Sequence, residues 1–329
     1  MRVSVLIPTF NRRRYLAEAL ASVRAQTHHD LEILVSDDGS TDGTREHVSR
    51  IATADSRVRL LTDNPLRGIF TNMQHLIDHS TGDAFAILGD DDRLLPGYVE
   101  ALAAPLARDP AVVASFCDHW VIDAGGRRLD EGTDATSRRY RRDALEAGRV
   151  ADRTTLALEQ TMCLGFSLFR ARTFRGERFD LRAGPAADWD YLLRGSSAGE
   201  LVYVKERLGE YRAHPGTATS SRTSAMAEGI LWVFSGRRFE RPEHEARRRQ
   251  ILRDASRSHA FVAAAERSRD GLRSVGRYLR LGGSPLDLKI AASVVLALTP
   301  RWIAVRLASV AGLRGSRASA PASASRPPR

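Results

Sequence analysis

The chain is poor in the features that define several large protein classes. Only two of its 329 residues are cysteines, Cys117 and Cys163. Two are too few for a disulfide framework or a zinc-ligand spacing, and both sit in apolar runs as small core residues do. There is no run of 18 uncharged apolar residues. The longest candidate, Ile290 to Pro300, is too short to span a bilayer. The opening MRVSVLIPTFNRRR has no small-residue cleavage site, so it reads as a strand and not a signal peptide, and a cytoplasmic protein is expected. The turn after that strand lacks G-x-G-x-x-G, which disfavours a nicotinamide dinucleotide fold. No P-loop and no G-x-S-x-G elbow occurs either. Acidic residues are scarce in the last third. From Arg222 onward there are 21 basic and 8 acidic residues, against 29 and 32 before it. The net charge of +10 is therefore a property of one region. No basic platform interleaved with aromatics accompanies it, so no nucleic-acid partner is expected.

What is present is ordinary globular material, 43% hydrophobic and 27% charged, at a length suited to about two domains. Short apolar runs at Val3–Ile7, Leu31–Val35, Val58–Leu61 and Ala84–Leu88 read as strands, the first ended by Pro8. Between them, Leu16, Ala19, Leu20 and Val23 fall on one helical face. Val48, Ile51 and Ala52 mark a second helix, Ile69, Met73, Leu76 and Ile77 a third, and Val99, Leu102, Ala103 and Leu106 a fourth. This alternation predicts an α/β fold with a mostly parallel, Rossmann-like sheet flanked by helices. The middle is less regular. Strands are expected at Ala111–Phe116, Trp120–Ile122, Leu164–Phe169 and Leu201–Lys205, with a turn at 124–126 and a short helix from Trp189 to Arg194. Residues 127–150 read as a charged, mobile surface segment. The expected organisation is a catalytic domain at 1–221, a basic helical region at 222–313 and a disordered tail at 314–329.

Four motifs carry candidate chemistry. LGDDD at 88–92 places three carboxylates at a strand end, where they repel one another unless a cation or donor offsets them. Carboxylates suit Mg²⁺ or Mn²⁺, which often bridge them to a phosphate. The plainer alternative is a solvated loop with one aspartate capping the next helix. SDDGST at 36–41 is either a nucleoside-binding loop, with Asp37 or Asp38 accepting from a base or ribose, or a turn before a helix capped by Thr41 or Asp42. AADWDYLLR at 186–194 offers Asp188 as a general base, or as an N-cap beside a core Trp189. EYRAHPG at 210–216 offers His214 as a metal or phosphate contact, or as an exposed loop histidine. In parallel sheets ligands bind beyond the carboxyl ends of the strands, so the two acidic loops should converge there.

Taken in order, these pieces resemble the family 2 glycosyltransferases, inverting enzymes with the GT-A fold. The resemblance is carried by VSVLIPTFNRRRYLAEALASVRAQT, LEILVSDDGSTDGT, the Asn64…Gly68…Asn72 stretch, GDAFAILGDDDRLLPGYVE, DWDYLLR and YRAHPG, across residues 1–216. It implies a nucleoside pocket formed by Pro8, Thr9, Phe10, Asp37 and Asp38, with Asp90 at the ribose. It implies a Mn²⁺ or Mg²⁺ ion held by Asp91, Asp92 and His214, with Arg212 near the diphosphate. Asp188 is the implied catalytic base. Two departures stand out. Gly89 replaces the first aspartate of the Asp-x-Asp-Asp found in many members, which leaves Asp91 and Asp92 as alternative main ligands. Ala187 replaces the glutamate that commonly precedes the base.

The implied donor is a UDP-, dTDP- or GDP-sugar, and the implied acceptor a glycan or lipid-linked hydroxyl in cell-surface polysaccharide or glycolipid synthesis. The alternatives are a sugar-phosphate nucleotidyltransferase and a non-catalytic sugar-nucleotide-binding module. In the basic region, Leu286, Ile290, Val294, Val295 and Leu298 share a helical face. After Pro300 the pattern resumes with Trp302, Ile303, Val305, Leu307 and Val310 among arginines. That pattern fits either an interfacial helix on an anionic membrane, at the inner face of the plasma membrane, or a lid packed on the catalytic domain.

Overall fold

The protein is described here as a computed structural model covering residues 1–62, 68–214, 224–265 and 270–298. The chain forms two compact units. One comprises residues 1–222 and 236–248; the other comprises 223–235 and the chain from 249 onward.

The first unit alternates as its periodicity requires: β1 (Val3–Thr9), α1 (Arg13–Arg24), β2 (Leu31–Asp37), α2 (Thr44–Ala54), β3 (Val58–Leu61), α3 (Ile69–His79) and β4 (Ala84–Ile87). The short β5 (Arg93–Leu94) and α4 (Tyr98–Arg108) follow. β3, β2, β1 and β4 are neighbours in that order, and all are parallel. Every residue of β1, β2 and β4 is buried, so both sheet faces need a helical cover. Leu16, Ala19, Leu20 and Val23 of α1 join Val3, Val5 and Ile7 in one core, with Val99, Leu102, Ala103 and Leu106 of α4. Each such side chain contributes roughly 1.5–3 kcal/mol on burial.

Pro8 does not end β1. The ladder to β4 stops at Leu6–Ile87, while pairing with β2 continues to Thr9–Asp37. Beyond Leu6 the strand has one sheet neighbour, and proline's missing donor is tolerated there. The sheet then turns mixed. β8 (Ser167–Arg170) runs antiparallel to β4 and to β6 (Val112–Ile122), β6 is parallel to β9 (Glu200–Arg212), and β5 and β7 (Gly148–Arg149) run antiparallel to β9.

The middle section departs from its sequence reading in three places. The two strands expected around 111–122 are one, β6, whose register to β9 shifts on either side of Asp118. β9 in turn continues past Lys205 to Arg212, because the polar Lys205, Glu206 and Arg207 fall at that irregularity and not at an end. Residues 127–150 are not a mobile surface stretch. They contain α5 (Asp130–Arg139) and β7. The Arg142 side chain is buried against Asp118 at 2.8 Å, and Asp118 also accepts from Ser137 Oγ. Cys117 is buried and Cys163 partly buried, both as free thiols.

Between β7 and β9 lie α6 (Arg153–Leu158), α7 (Ala171–Phe174), a 3₁₀ turn at Leu181–Ala186 and α8 (Ala187–Gly195). The second unit is helical, with α9 (Ser224–Ser235), most of α10 (Pro242–Ala265), α11 (Asp270–Arg280) and α12 (Leu288–Leu298). Here the apolar stripe of α12 is split. Ile290 is buried with Ala260, Val275 and Tyr278, and Val294 packs beside it, whereas Leu286, Leu288 and Val295 are exposed. Among the described residues no helix is long and apolar enough to cross a membrane. The 302–310 stripe and the 314–329 tail lie outside the described residues.

Candidate active site

The carboxyl ends of β1, β2 and β4 lie side by side, and hydrogen bonds join the loops that follow them. Asp38 N–H donates to Thr9 O at 3.0 Å, and Thr9 Oγ1 donates to Asp90 Oδ2 at 2.8 Å. The two acidic loops therefore meet, as the parallel topology requires. Asn11, at φ 52°, turns the chain out of β1; its N–H donates to Ser40 Oγ and its Oδ1 accepts from Thr41 N–H, each at 2.8 Å. Phe10 is 48% exposed at this edge.

Asp37 is fully buried. Both its oxygens accept from Ser40 N–H, at 3.1 and 3.2 Å, and Arg45 pairs with it. Asp38 Oδ2 accepts from Gly68 N–H at 2.9 Å, which ties the loop to the start of α3. Asn72 of α3 donates to Ser36 O at 3.0 Å from below. Gly39 has φ 95°, a conformation that favours glycine and explains its place between the aspartates and Ser40. Asp42 accepts from Thr44 N–H and Oγ1 at the start of α2. The N-cap of α2 is Gly43, so neither Thr41 nor Asp42 holds the capping position expected from the sequence, although Asp42 does accept from the first turn. Asn64 lies outside the described residues.

The three consecutive aspartates have different surroundings. Asp90 is buried, with Arg12 Nη1 at 3.3 Å, and burial lifts its pKa to about 6 against the opposing effect of Arg12. Asp91 pairs through Oδ2 with Arg12, and the same oxygen lies 3.1 Å from His214 Nε2. Asp92 is buried beneath, and its Oδ1 accepts from Arg212 N–H at 2.8 Å. Burial, then the charge of Asp91, raises its pKa well above the usual range. None of the three caps α4, whose N-cap is Gly97.

Arg212 is fully buried and its guanidinium is occupied. Nη2 donates to Glu18 Oε2 at 2.6 Å and Nε to Asp91 O at 2.7 Å, while the group lies 4.8 Å from the Tyr15 ring centre. The Tyr15 ring also packs against His214 at 5.2 Å. The side chain expected near the diphosphate is thus buried beside Asp91, whose backbone carbonyl it holds. Sequence reading missed Arg12, the cation that bridges Asp90 and Asp91. Its only signal was the run of arginines after Asn11, which looks like an ordinary basic turn.

The family-implied metal can be tested against these groups. Among the described residues no three His, Cys, Asp or Glu side chains cluster closely enough to enclose an ion. Asp91 and His214 nevertheless present one oxygen and one nitrogen donor at a common position, and Mg²⁺-like ions commonly keep waters and phosphate oxygens as their remaining ligands. Arg12 shares the same Asp91 oxygen, so this pair fits such an ion only where the ion takes the place of that guanidinium. Asp92 fits less well, because one oxygen is engaged by a backbone N–H and the carboxyl lies deeper.

Asp188 lies in the first turn of α8, one residue past its start, and so is not the N-cap. Its Oδ1 accepts from Trp189 N–H at 2.7 Å. Burial raises its pKa to about 6 against that hydrogen bond. Trp189 is the core anchor, and its Nε1–H donates to Ala157 O at 2.7 Å. Asp190 is buried between Arg194 at 2.9 Å and Arg237 at 2.7 Å. Of the two aspartates flanking Trp189, only Asp188 has no arginine across from it among the described contacts.

A family model described as Glycosyl transferase family 2 matches residues 4–172, just over half of the chain. A GalNAc(5)-diNAcBac-PP-undecaprenol beta-1,3-glucosyltransferase of Campylobacter jejuni is 29% identical over 214 residues, 64% of each chain. The match thus spans slightly less than two thirds of that relative's length. An uncharacterized glycosyltransferase of Haemophilus influenzae is 30% identical over 226 residues, 67% of each chain. Among solved structures, residues 1–349 of Staphylococcus aureus TarS in complex with UDP-GlcNAc align with a TM-score of 0.62 at 15% identity, covering 90% of this chain and 88% of that one. The mannosyltransferase PcManGT of Pyrobaculum calidifontis, solved with GDP-Man and Mn²⁺, aligns with a TM-score of 0.56 at 18% identity, covering 94% and 87%. These structural likenesses establish the fold, a GT-A glycosyltransferase domain with helices in its C-terminal region. The chain belongs to glycosyl transferase family 2.

Proposed function

We propose that this protein transfers a sugar, with inversion, from a nucleotide-sugar donor to a hydroxyl of a glycan or lipid-linked acceptor. The observation that carries the reading is the joining of Thr9, Asp38 and Asp90 across three strand ends, with Asp91 and His214 beside them. The nucleoside lies over Pro8, Thr9 and Phe10, with Asp37 and Asp38 toward the base and Asp90 toward the ribose. The diphosphate lies toward Asp91 and His214. Asp91 and His214 would hold a Mn²⁺ or Mg²⁺ ion, which would supply positive charge against the leaving diphosphate. Arg12 is the protein's own cation at that position.

Asp188 acts as general base. The acceptor oxygen forms its bond to the anomeric carbon as its proton passes to Asp188. The bond from that carbon to the diphosphate oxygen breaks, and the electron pair leaves with the diphosphate. Attack from the opposite face inverts the centre, and no covalent intermediate is needed. The UDP-GlcNAc and GDP-Man in the structural neighbours and the undecaprenol-linked substrate in the name of the Campylobacter relative support the donor and acceptor classes.

Product analysis tests the reading. Incubation with a panel of UDP-, dTDP- and GDP-sugars should release free nucleoside diphosphate. Release of pyrophosphate would point to nucleotidyl transfer, and binding without turnover to a non-catalytic module.

Exposed leucines in the second unit favour work at an anionic membrane surface. Leu286 and Leu288, on either side of Asp287, are 87% and 85% exposed, in the part of the chain that carries the surplus of basic residues. Apolar side chains beside cations favour an anionic interface.

A further inference from the structure

Residues 236–248 lie outside the span matched by the family model, yet they return to the first unit. There they pair with three acidic side chains. Arg237 Nη2 reaches Asp190 Oδ1 on α8 at 2.7 Å. His244 Nε2 lies 2.9 Å from Asp152 Oδ2, and Arg241 reaches the same oxygen at 3.3 Å. Arg247 Nη2 reaches Glu159 Oε2 at 2.8 Å. Asp152 is the N-cap of α6, its Oδ1 accepting from Thr155 N–H at 2.9 Å, and Glu159 is the C-cap residue of the same helix. The hydrogen bond from Trp189 Nε1 to Ala157 O joins α6 to α8. One short segment therefore holds both ends of α6 and the helix that carries Asp188.

We infer that residues 237–247 are a positioning strap that sets the direction of the Asp188 carboxylate through Asp190 and α6. Asp188 and Asp190 are two residues apart, about 200° around a helix. A latch on Asp190 therefore grips the face of α8 opposite Asp188 and resists rotation about the helix axis. The Asp190 side chain is 8% exposed and that of Arg237 27%, so the pair is shielded more than a surface ion pair. Arg194 also pairs with Asp190, at 2.9 Å, so removal of Arg237 leaves the carboxylate a partner and the expected loss falls on orientation. Misplacing a reacting group by about 1 Å can cost on the order of 100-fold in rate. The inference rests on the reading of Asp188 as base.

The test uses the full chain and, with water as acceptor, hydrolysis of whichever UDP-, dTDP- or GDP-sugar of the panel is cleaved fastest. Arg237→Met should lower kcat roughly 10- to 100-fold, with donor KM within about twofold. Arg237→Lys should recover much of the loss. Arg247→Gln, at the far end of the strap, should lower kcat by a smaller factor at unchanged KM. A merely structural role would not separate kcat from KM or respond to the lysine. If Asp188→Asn is inactive while folded Arg237→Met and Arg247→Gln keep wild-type kcat, the strap is overturned. If Arg237→Met does not fold, Arg237→Lys and Arg247→Gln decide by the same criterion. Wild-type turnover in Asp188→Asn, or no hydrolysis by the parent protein, would overturn the base reading beneath it.

Discussion

Asp90, Asp91 and Asp92 are adjacent in sequence but differ in surroundings. Asp90 is sunk beside Thr9, Asp91 lies between Arg12 and His214, and Asp92 is pinned by the Arg212 N–H. The triplet marked the site in sequence, because three carboxylates at a strand end need an offsetting partner. This division of roles was not legible, since each partner lies about 80 or 120 residues away in the chain. Arg12 was invisible for the same reason. Asp188 gives the residue-scale prediction. A base works only when ionised, and burial holds this carboxyl at about 6. Turnover should therefore rise with pH through about 6 and fall away below it. Asp188→Asn removes proton affinity at nearly constant shape, so it should cut kcat by roughly 10²–10⁴ while donor binding stays within a few-fold. A steady-state pH profile of both proteins checks this. An unshifted, near-normal profile in the variant would leave the base unidentified.

The elements of the first hundred residues were legible because burial largely follows a simple period there, although in α3 the expected Ile69 is exposed and Asn72 is buried. The buried set of α1 is the set its spacing selects, and β3 has the ends its apolar run suggests. The middle was not, because charged residues anchor it. Arg142 is buried through its pairing with Asp118, and hydropathy cannot reveal a charge that is paired in the fold. Similarly, Asp118 and His119 interrupt the apolar pattern of β6 without ending it. Packing of α8 gives the element-scale prediction. Gly195 closes this helix, and a Cβ there would lie 2.0 Å from Cε1 of the buried Phe174 ring. Gly195→Ala forces the ring or the helix to move and should destabilise the protein by about 1–3 kcal/mol. Denaturant unfolding measures this. An unchanged midpoint would mean that the α7–α8 contact is looser than described.

Across the whole molecule, charge and chemistry are segregated. The proposed site residues lie before residue 222, in a part with three more acidic than basic residues; the later part has a surplus of 13 basic residues. Attraction to an anionic leaflet must come from the later part, at about 1 kcal/mol for each Lys or Arg near the surface. Co-sedimentation with anionic liposomes should weaken at high salt without vanishing, and truncation before Pro285 should remove most of it. A 1–329 chain that ignores such liposomes would leave its exposed leucines without this role. Neither outcome touches the central claim, that the joined strand-end loops hold a nucleoside diphosphate with a divalent ion at Asp91. Calorimetric titration of the full chain with UDP, GDP and dTDP, with and without Mn²⁺, tests it most directly. One nucleotide should bind best, Mn²⁺ should strengthen its binding, and Asp91→Asn should abolish the metal-dependent part alone. Equal binding with and without Mn²⁺, or an Asp91→Asn protein that responds to Mn²⁺ like the parent, would contradict it.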